Sequence, residues 1–113
     1  MSAITTHVLD TARGRPAAGI AVRLERLTGA GWSTLAERIT DADGRVRDLL
    51  PADRPVVPGR YRLVFDTGSY LAATGTRAFY PEIAVAFEVH DGAEQHHVPL
   101  LLSPYGYSTY RGS

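Results

Sequence analysis

Glycine, proline and aspartate punctuate this chain roughly every eight to twelve positions, and between them lie short runs of β-branched, aromatic and aliphatic residues. That rhythm predicts an all-β chain folded as a sandwich or barrel of about eight strands. Ile4 to Leu9 reads as a first strand, and Arg13-Gly14-Arg15-Pro16 turns the chain towards a second over Ile20 to Leu27, where Val22 and Leu24 alternate with Arg23 and Glu25. Gly29-Ala30-Gly31 signals a hairpin into Trp32 to Thr40. Asp43-Gly44 signals another, because its glycine accepts the positive φ of a tight turn. Trp32 to Thr40 and Arg45 to Leu50 are therefore predicted to be adjacent antiparallel strands.

Between Pro51 and Pro58 three prolines deny the backbone its ladder donors, which predicts a loop. A strand resumes at Tyr61, where Tyr61, Leu63 and Phe65 alternate with Arg62, Val64 and Asp66. Ser69 is placed to cap one helical turn over Tyr70 to Ala73, with Gly75 as its stop. Ile83 to Val89, His96 to Ser103, and Tyr105 to about Tyr110 complete the strands. Connections this short favour antiparallel pairing.

At 113 residues with 44% hydrophobic side chains, the chain has enough apolar surface for one core and too little for two, so residues 1–113 are expected to form a single domain. The absence of cysteine excludes disulfides and thiolate metal sites. Twelve basic residues balance twelve acidic ones, which removes the bulk attraction of a nucleic-acid or anionic-membrane binder. No window approaches the roughly 18 apolar residues that span a bilayer, and the first ten residues lack a leader's basic-then-apolar pattern. A cytoplasmic protein is expected.

Strand alternation places Val98, Leu100 and Leu102 on one face and His97, Pro99, Leu101 and Ser103 on the other, and it groups Thr5, His7 and Leu9 in the same way. A neutral histidine at such a half-covered site takes a proton from water and returns it to a leaving group. Spacing alone favours the plainer reading, an ordinary satisfied sheet histidine. A metal site drawing on His7, His90, His96 and His97 is disfavoured, because neighbours such as His96 and His97 point to opposite faces of a strand. Arg45, just after the Asp43-Gly44 turn, offers a planar donor fork to an oxygen-rich anion, although a solvated strand-end arginine is the commoner case. The closing Tyr105-Gly106-Tyr107-Ser108-Thr109-Tyr110-Arg111-Gly112-Ser113 is too aromatic to be left in water. It predicts an edge strand or a subunit contact.

Three segments together resemble the transthyretin superfamily: Thr6-His7-Val8-Leu9-Asp10 followed by Gly14 and Pro16-Ala17, then Thr40-Asp41-Ala42-Asp43-Gly44-Arg45, then Phe79-Tyr80-Pro81-Glu82-Ile83. The stretch from His97-Val98-Pro99-Leu100 to the terminal Tyr110-Arg111-Gly112-Ser113 resembles the 5-hydroxyisourate hydrolases, whose signature is that final tetrapeptide. The resemblance implies a two-sheet transthyretin-like β-sandwich with one short helix. It also implies hydrolysis of 5-hydroxyisourate to 2-oxo-4-hydroxy-4-carboxy-5-ureidoimidazoline in urate degradation, with no cofactor and no metal. Carried over residue by residue, it marks His7, Arg45, His97 and Ser113 as catalytic, and His7, Arg45, Tyr110 and Arg111 as substrate-binding. It further implies a homotetramer, a dimer of dimers with sites in the channel between dimers. The chain departs from the family at Gln95-His96-His97, where a His-aromatic-His triplet is usual. The alternative is a transthyretin-like carrier that holds a small ligand in the same channel without chemistry.

Overall fold

The computed structural model describes residues 3–113. In chain order the elements are β1 (Ile4–Asp10), β2 (Arg15–Pro16), β3 (Ala21–Thr28), β4 (Gly31–Ile39), β5 (Arg45–Val46), β6 (Gly59–Phe65), α1 (Thr67–Ala73), β7 (Ile83–Val89), β8 (His96–Ser103) and β9 (Gly106–Thr109). One sheet runs β2-β1-β8-β9 with β5 also paired to β1, and the other runs β4-β3-β6-β7. The predicted sandwich is thus observed, with two of its strands only two residues long.

Alternation builds the core between the sheets. Ile4 and Val8 of β1 and Val98, Leu100 and Leu102 of β8 face Val22 and Leu24 of β3, Leu63 and Phe65 of β6, and Ile83 and Val85 of β7, all buried. The Thr6 hydroxyl, also on this side, donates to the Val98 carbonyl at 2.6 Å. Pairing is antiparallel as predicted except between β1 and β8, which run parallel with Thr5 beside His97 and His7 beside Pro99.

The structure corrects one predicted pairing. β4 forms its hairpin with β3, and β5 crosses to the other sheet, where His7 of β1 pairs with Arg45. Two tertiary contacts accompany the crossing. β5 ends at Val46, and beyond it Leu49 and Leu50 are both buried in the core. Gly44, at φ +76°, then lies close enough to β1 for its carbonyl to accept from Val8 N at 2.7 Å. The helix also starts earlier than expected: Asp66, not Ser69, is the cap, its carboxylate accepting from Ser69 N at 3.2 Å.

The two outer faces differ in charge. On the β4-β3-β6-β7 sheet, Glu25 is buried between Arg23, at 2.7 Å, and Arg62, which stacks on Trp32 with its guanidinium carbon 4.2 Å from the ring centroid. Burial is the largest influence on the Glu25 carboxyl and raises it. The hydrogen bonds from Arg23 and Arg62 outweigh burial and hold the group below its ordinary range. The outer face of the β1–β8 sheet instead carries Arg45, with which no carboxylate among the described residues forms an ion pair. No helix among the described residues is long and apolar enough to cross a membrane.

Candidate active site

The site rests on three strands whose registers put Thr5, His7, Arg45, His97 and Pro99 on the outer face of one sheet. Arg45 gets there through the tight turn before it. Asp41 Oδ1 accepts from Asp43 N and Arg45 N, both at 2.9 Å, while Gly44 N donates to the Asp41 carbonyl at 2.9 Å and Asp41 N to the Arg45 carbonyl at 3.0 Å. The Arg45 amide bond, the largest influence, together with that of Asp43, holds the Asp41 carboxyl below its ordinary range. The other carboxylate oxygen accepts from Arg47 Nη1 at 3.3 Å.

Each histidine is held by one ring nitrogen. His7 Nε2 lies 2.8 Å from the Asp43 carbonyl, which can only accept, so Nε2 carries the proton and neutral His7 keeps its lone pair on Nδ1. His97 Nδ1 lies 2.8 Å from the Thr5 hydroxyl. Burial lowers both imidazoles from the ordinary histidine value, and the Arg45 guanidinium lowers both further. His7 adds to the effect on His97, while the Asp43 carbonyl and the carboxylates of Asp41 and Asp43 pull His7 part of the way back. Both are therefore neutral imidazoles near pH 7, next to a cation. Among the described residues no carboxylate forms an ion pair with that cation.

Arg45, His97 and Ser113 line one cleft of about 220 Å³, together with Thr5, Thr6, Arg47 and Gln95. His7 flanks it from the Arg45 side. Tyr110 and Arg111 lie outside it, lining a second groove with Phe87 and His96, and His97 borders both. Arg111 donates to Glu94 at 2.8 Å and to the Gln95 carbonyl at 3.3 Å. His96 turns away from His97, as alternation requires. It is buried against Phe87, with ring centroids 6.5 Å apart. Among the described residues no three His, Cys, Asp or Glu side chains group so as to hold a metal ion.

The tail is drawn in by backbone as well as side chains. β9 pairs with β8 as the edge strand, and Gly112 N donates to the His97 carbonyl at 2.8 Å. A Cβ on Gly112 would overlap the His97 ring. Gly112→Ala is thus expected to turn the imidazole off the Thr5 hydroxyl and to lower turnover about tenfold or more while the β8–β9 ladder persists, a misplacement effect read from kcat and amide exchange together. Four contributors escaped the sequence reading. Thr5 was signalled only by sharing the two-residue period of His7, and Asp41 only by its place in the turn. For Arg47 the signal was its two-residue offset from Arg45, and Gly112 was marked only as a member of the terminal tetrapeptide, with no role of its own.

A two-sheet sandwich of this topology, carrying two imidazoles around one unpaired guanidinium on its outer face, is a transthyretin-like fold equipped for polar chemistry. Sea bream transthyretin, solved in complex with thyroxine, superposes with a TM-score of 0.89 at 32% identity, covering 96% of this chain and 93% of that one. The 5-hydroxyisourate hydrolase of Klebsiella pneumoniae superposes with a TM-score of 0.84 at 37% identity, covering 97% and 98%. The chain belongs to the HIUase/Transthyretin family, whose model matches residues 4–112. The 5-hydroxyisourate hydrolase of Caulobacter vibrioides is 48% identical over 117 residues, spanning all of both chains.

Proposed function

We propose that this chain hydrolyses 5-hydroxyisourate to 2-oxo-4-hydroxy-4-carboxy-5-ureidoimidazoline, by attack of water on a ring acyl carbon. The observation that carries the proposal is the placing of unpaired Arg45 beside two neutral imidazoles on one open face. In this reading the Arg45 fork takes the acyl oxygen as it gains negative charge. His97, with Nδ1–H donated to Thr5, receives the water proton on Nε2 as the water oxygen bonds to the carbon. That proton then passes to the departing ring nitrogen as the C–N bond breaks. His7 works from the other side of Arg45 to orient the water. Ser113 positions the substrate in the cleft, by hydroxyl or terminal carboxylate, while Tyr110 and Arg111 contact it from the adjoining groove.

The assembly is read as a homotetramer in the cytoplasm, each subunit one domain. Tyr105, Tyr107 and Tyr110 stand exposed along an open edge strand, and the His97 face carries half-buried Leu9 and Leu101, surfaces that suit burial against further copies. Sedimentation velocity at a mass of four chains supports this, and a monomer at assay concentration overturns it.

A base lowered from its ordinary value works while neutral. Activity is therefore expected to stay level through neutrality and to fall only as pH drops below about 6.5, the ordinary histidine value. Because the folded-state values are lowered, protonation of either histidine also costs stability on that same acid side. In Arg45→Gln, which removes the cation that lowers both imidazoles, the acid limb of the residual activity should move to higher pH. An unmoved limb would take the titrating base away from Arg45. Turnover in ¹⁸O-labelled water, with protein sufficient to outrun the spontaneous reaction, tests the bond assignment. One label is expected in the new carboxylate, and its absence there contradicts attack at the acyl carbon.

A further inference from the structure

Arg47 has no part in the steps above, yet it lines the same cleft as Arg45, His97 and Ser113. Arg47 directly follows β5, on the cleft side with Arg45, while Val46 between them is buried. More than half of the Arg47 side chain is exposed, whereas Arg45 is only half-buried, so the two guanidinium groups form an inner and an outer cation. Among the described residues Arg47 has one tether, the 3.3 Å contact of Nη1 with Asp41 Oδ2. That contact fixes the side chain beside the turn and leaves most of its five N–H donors for another partner. Gln95 and Ser113 line the same cleft.

The proposed reaction creates a ligand for such a group. Water adds its oxygen to the acyl carbon, the C–N bond breaks, one water proton goes to the nitrogen, and the other leaves as the new acid ionises. The product therefore carries a full carboxylate where the substrate had an amide. Arg45 must hold the tetrahedral oxyanion and then release this charge, and once the ring is open the carboxylate turns on a single bond. We propose that Arg47 is a product-binding residue, an outer guanidinium that takes the newly formed carboxylate from Arg45 at the mouth of the cleft. This rests on the hydrolase reading for the identity of the ligand. The recognised chemistry is a planar cyclic amide or ureide bearing one carboxylate.

Orotate and uracil test it as a pair, since they share one six-membered diamide ring and differ by a carboxylate. Binding of each is measured by calorimetry on the full-length protein and as inhibition of 5-hydroxyisourate decay. Wild type should prefer orotate, and Arg47→Gln should reduce that preference about tenfold, the loss expected for a charge-assisted hydrogen-bonded contact, while uracil binding stays put. Arg47→Lys should restore part of it. Raised salt should weaken orotate but not uracil on wild type, an arm that needs no variant. An unchanged orotate-to-uracil ratio in Arg47→Gln, or no preference in wild type, overturns the assignment. The two readings fail separately: a wild type without turnover sinks the hydrolase, and calorimetry still decides whether Arg47 selects the carboxylate.

Discussion

Replacing Arg45 with alanine is expected to lower kcat and kcat/KM together by roughly a hundred- to a thousandfold, the loss typical of removing one preorganised donor from a developing oxyanion. The parallel fall is the diagnostic feature, because an interaction made mainly in the transition state leaves KM almost untouched. Folding should survive. The turn is built on the Arg45 backbone, whose N–H and carbonyl are both engaged by Asp41, and alanine keeps both. Arg45→Lys should recover only a fraction of the lost rate, since an ammonium supplies charge but not the two-pronged fork. His97→Ala should match the loss within about tenfold, as general-base contributions of this kind run to 10²–10⁴. If Arg45→Ala raised KM and spared kcat, Arg45 would be a binding residue alone.

The second large effect is on the backbone that delivers Arg45. Gly44→Ala is expected to cost about 3 kcal/mol or more, combining roughly 1–2 kcal/mol for a Cβ at positive φ with the displacement of β5 from β1. A Cβ on Gly44 would lie inside the contact distance of the Val8 carbonyl oxygen, which already accepts from Ala17 N at 2.9 Å. Gly75 is the control. At φ +77° against +76° for Gly44 it has the same positive φ, but nothing lies within 4 Å of its Cβ position. Gly75→Ala should therefore cost only the roughly 1–2 kcal/mol conformational part. For a domain of this size the Gly44 variant should melt about 10 °C or more below wild type, and the Gly75 variant about 5 °C below. Equal shifts would mean that the approach of β5 to β1 carries no energy. Because the displaced strand carries Arg45, the Gly44 variant should lose activity even where it remains folded.

The parts of the fold that could be read from the chain are those set by local pattern. Alternation alone placed Val98, Leu100 and Leu102 in the core and His97 outside, and it grouped Thr5 with His7. The partner of β5 could not be read this way, because an Asp-Gly turn specifies a reversal but not which sheet receives the returning strand. That choice is made by tertiary contacts, the burial of Leu49 and Leu50 and the docking of Gly44 on Val8. It is also the choice that makes the site, since the mistaken hairpin would have left Arg45 beside β4, on the wrong sheet from His7. The bond from Thr5 to His97 and the packing of Gly112 on the imidazole join residues some ninety and fifteen positions apart, beyond any periodicity. The terminal tetrapeptide supplied through resemblance what the physics of single strands does not contain. Even so, Tyr110 and Arg111 line a neighbouring groove and not the cleft that holds Arg45.

The most direct test of the central claim is to form 5-hydroxyisourate in the cuvette from urate with urate oxidase and to follow its ultraviolet decay with and without this protein, in the presence and absence of a chelator. The account predicts decay that quickens in proportion to protein and is indifferent to chelator. Decay at the spontaneous rate at every protein concentration would contradict it, and would leave the open His7–Arg45–His97 face to a ligand that is held without being changed.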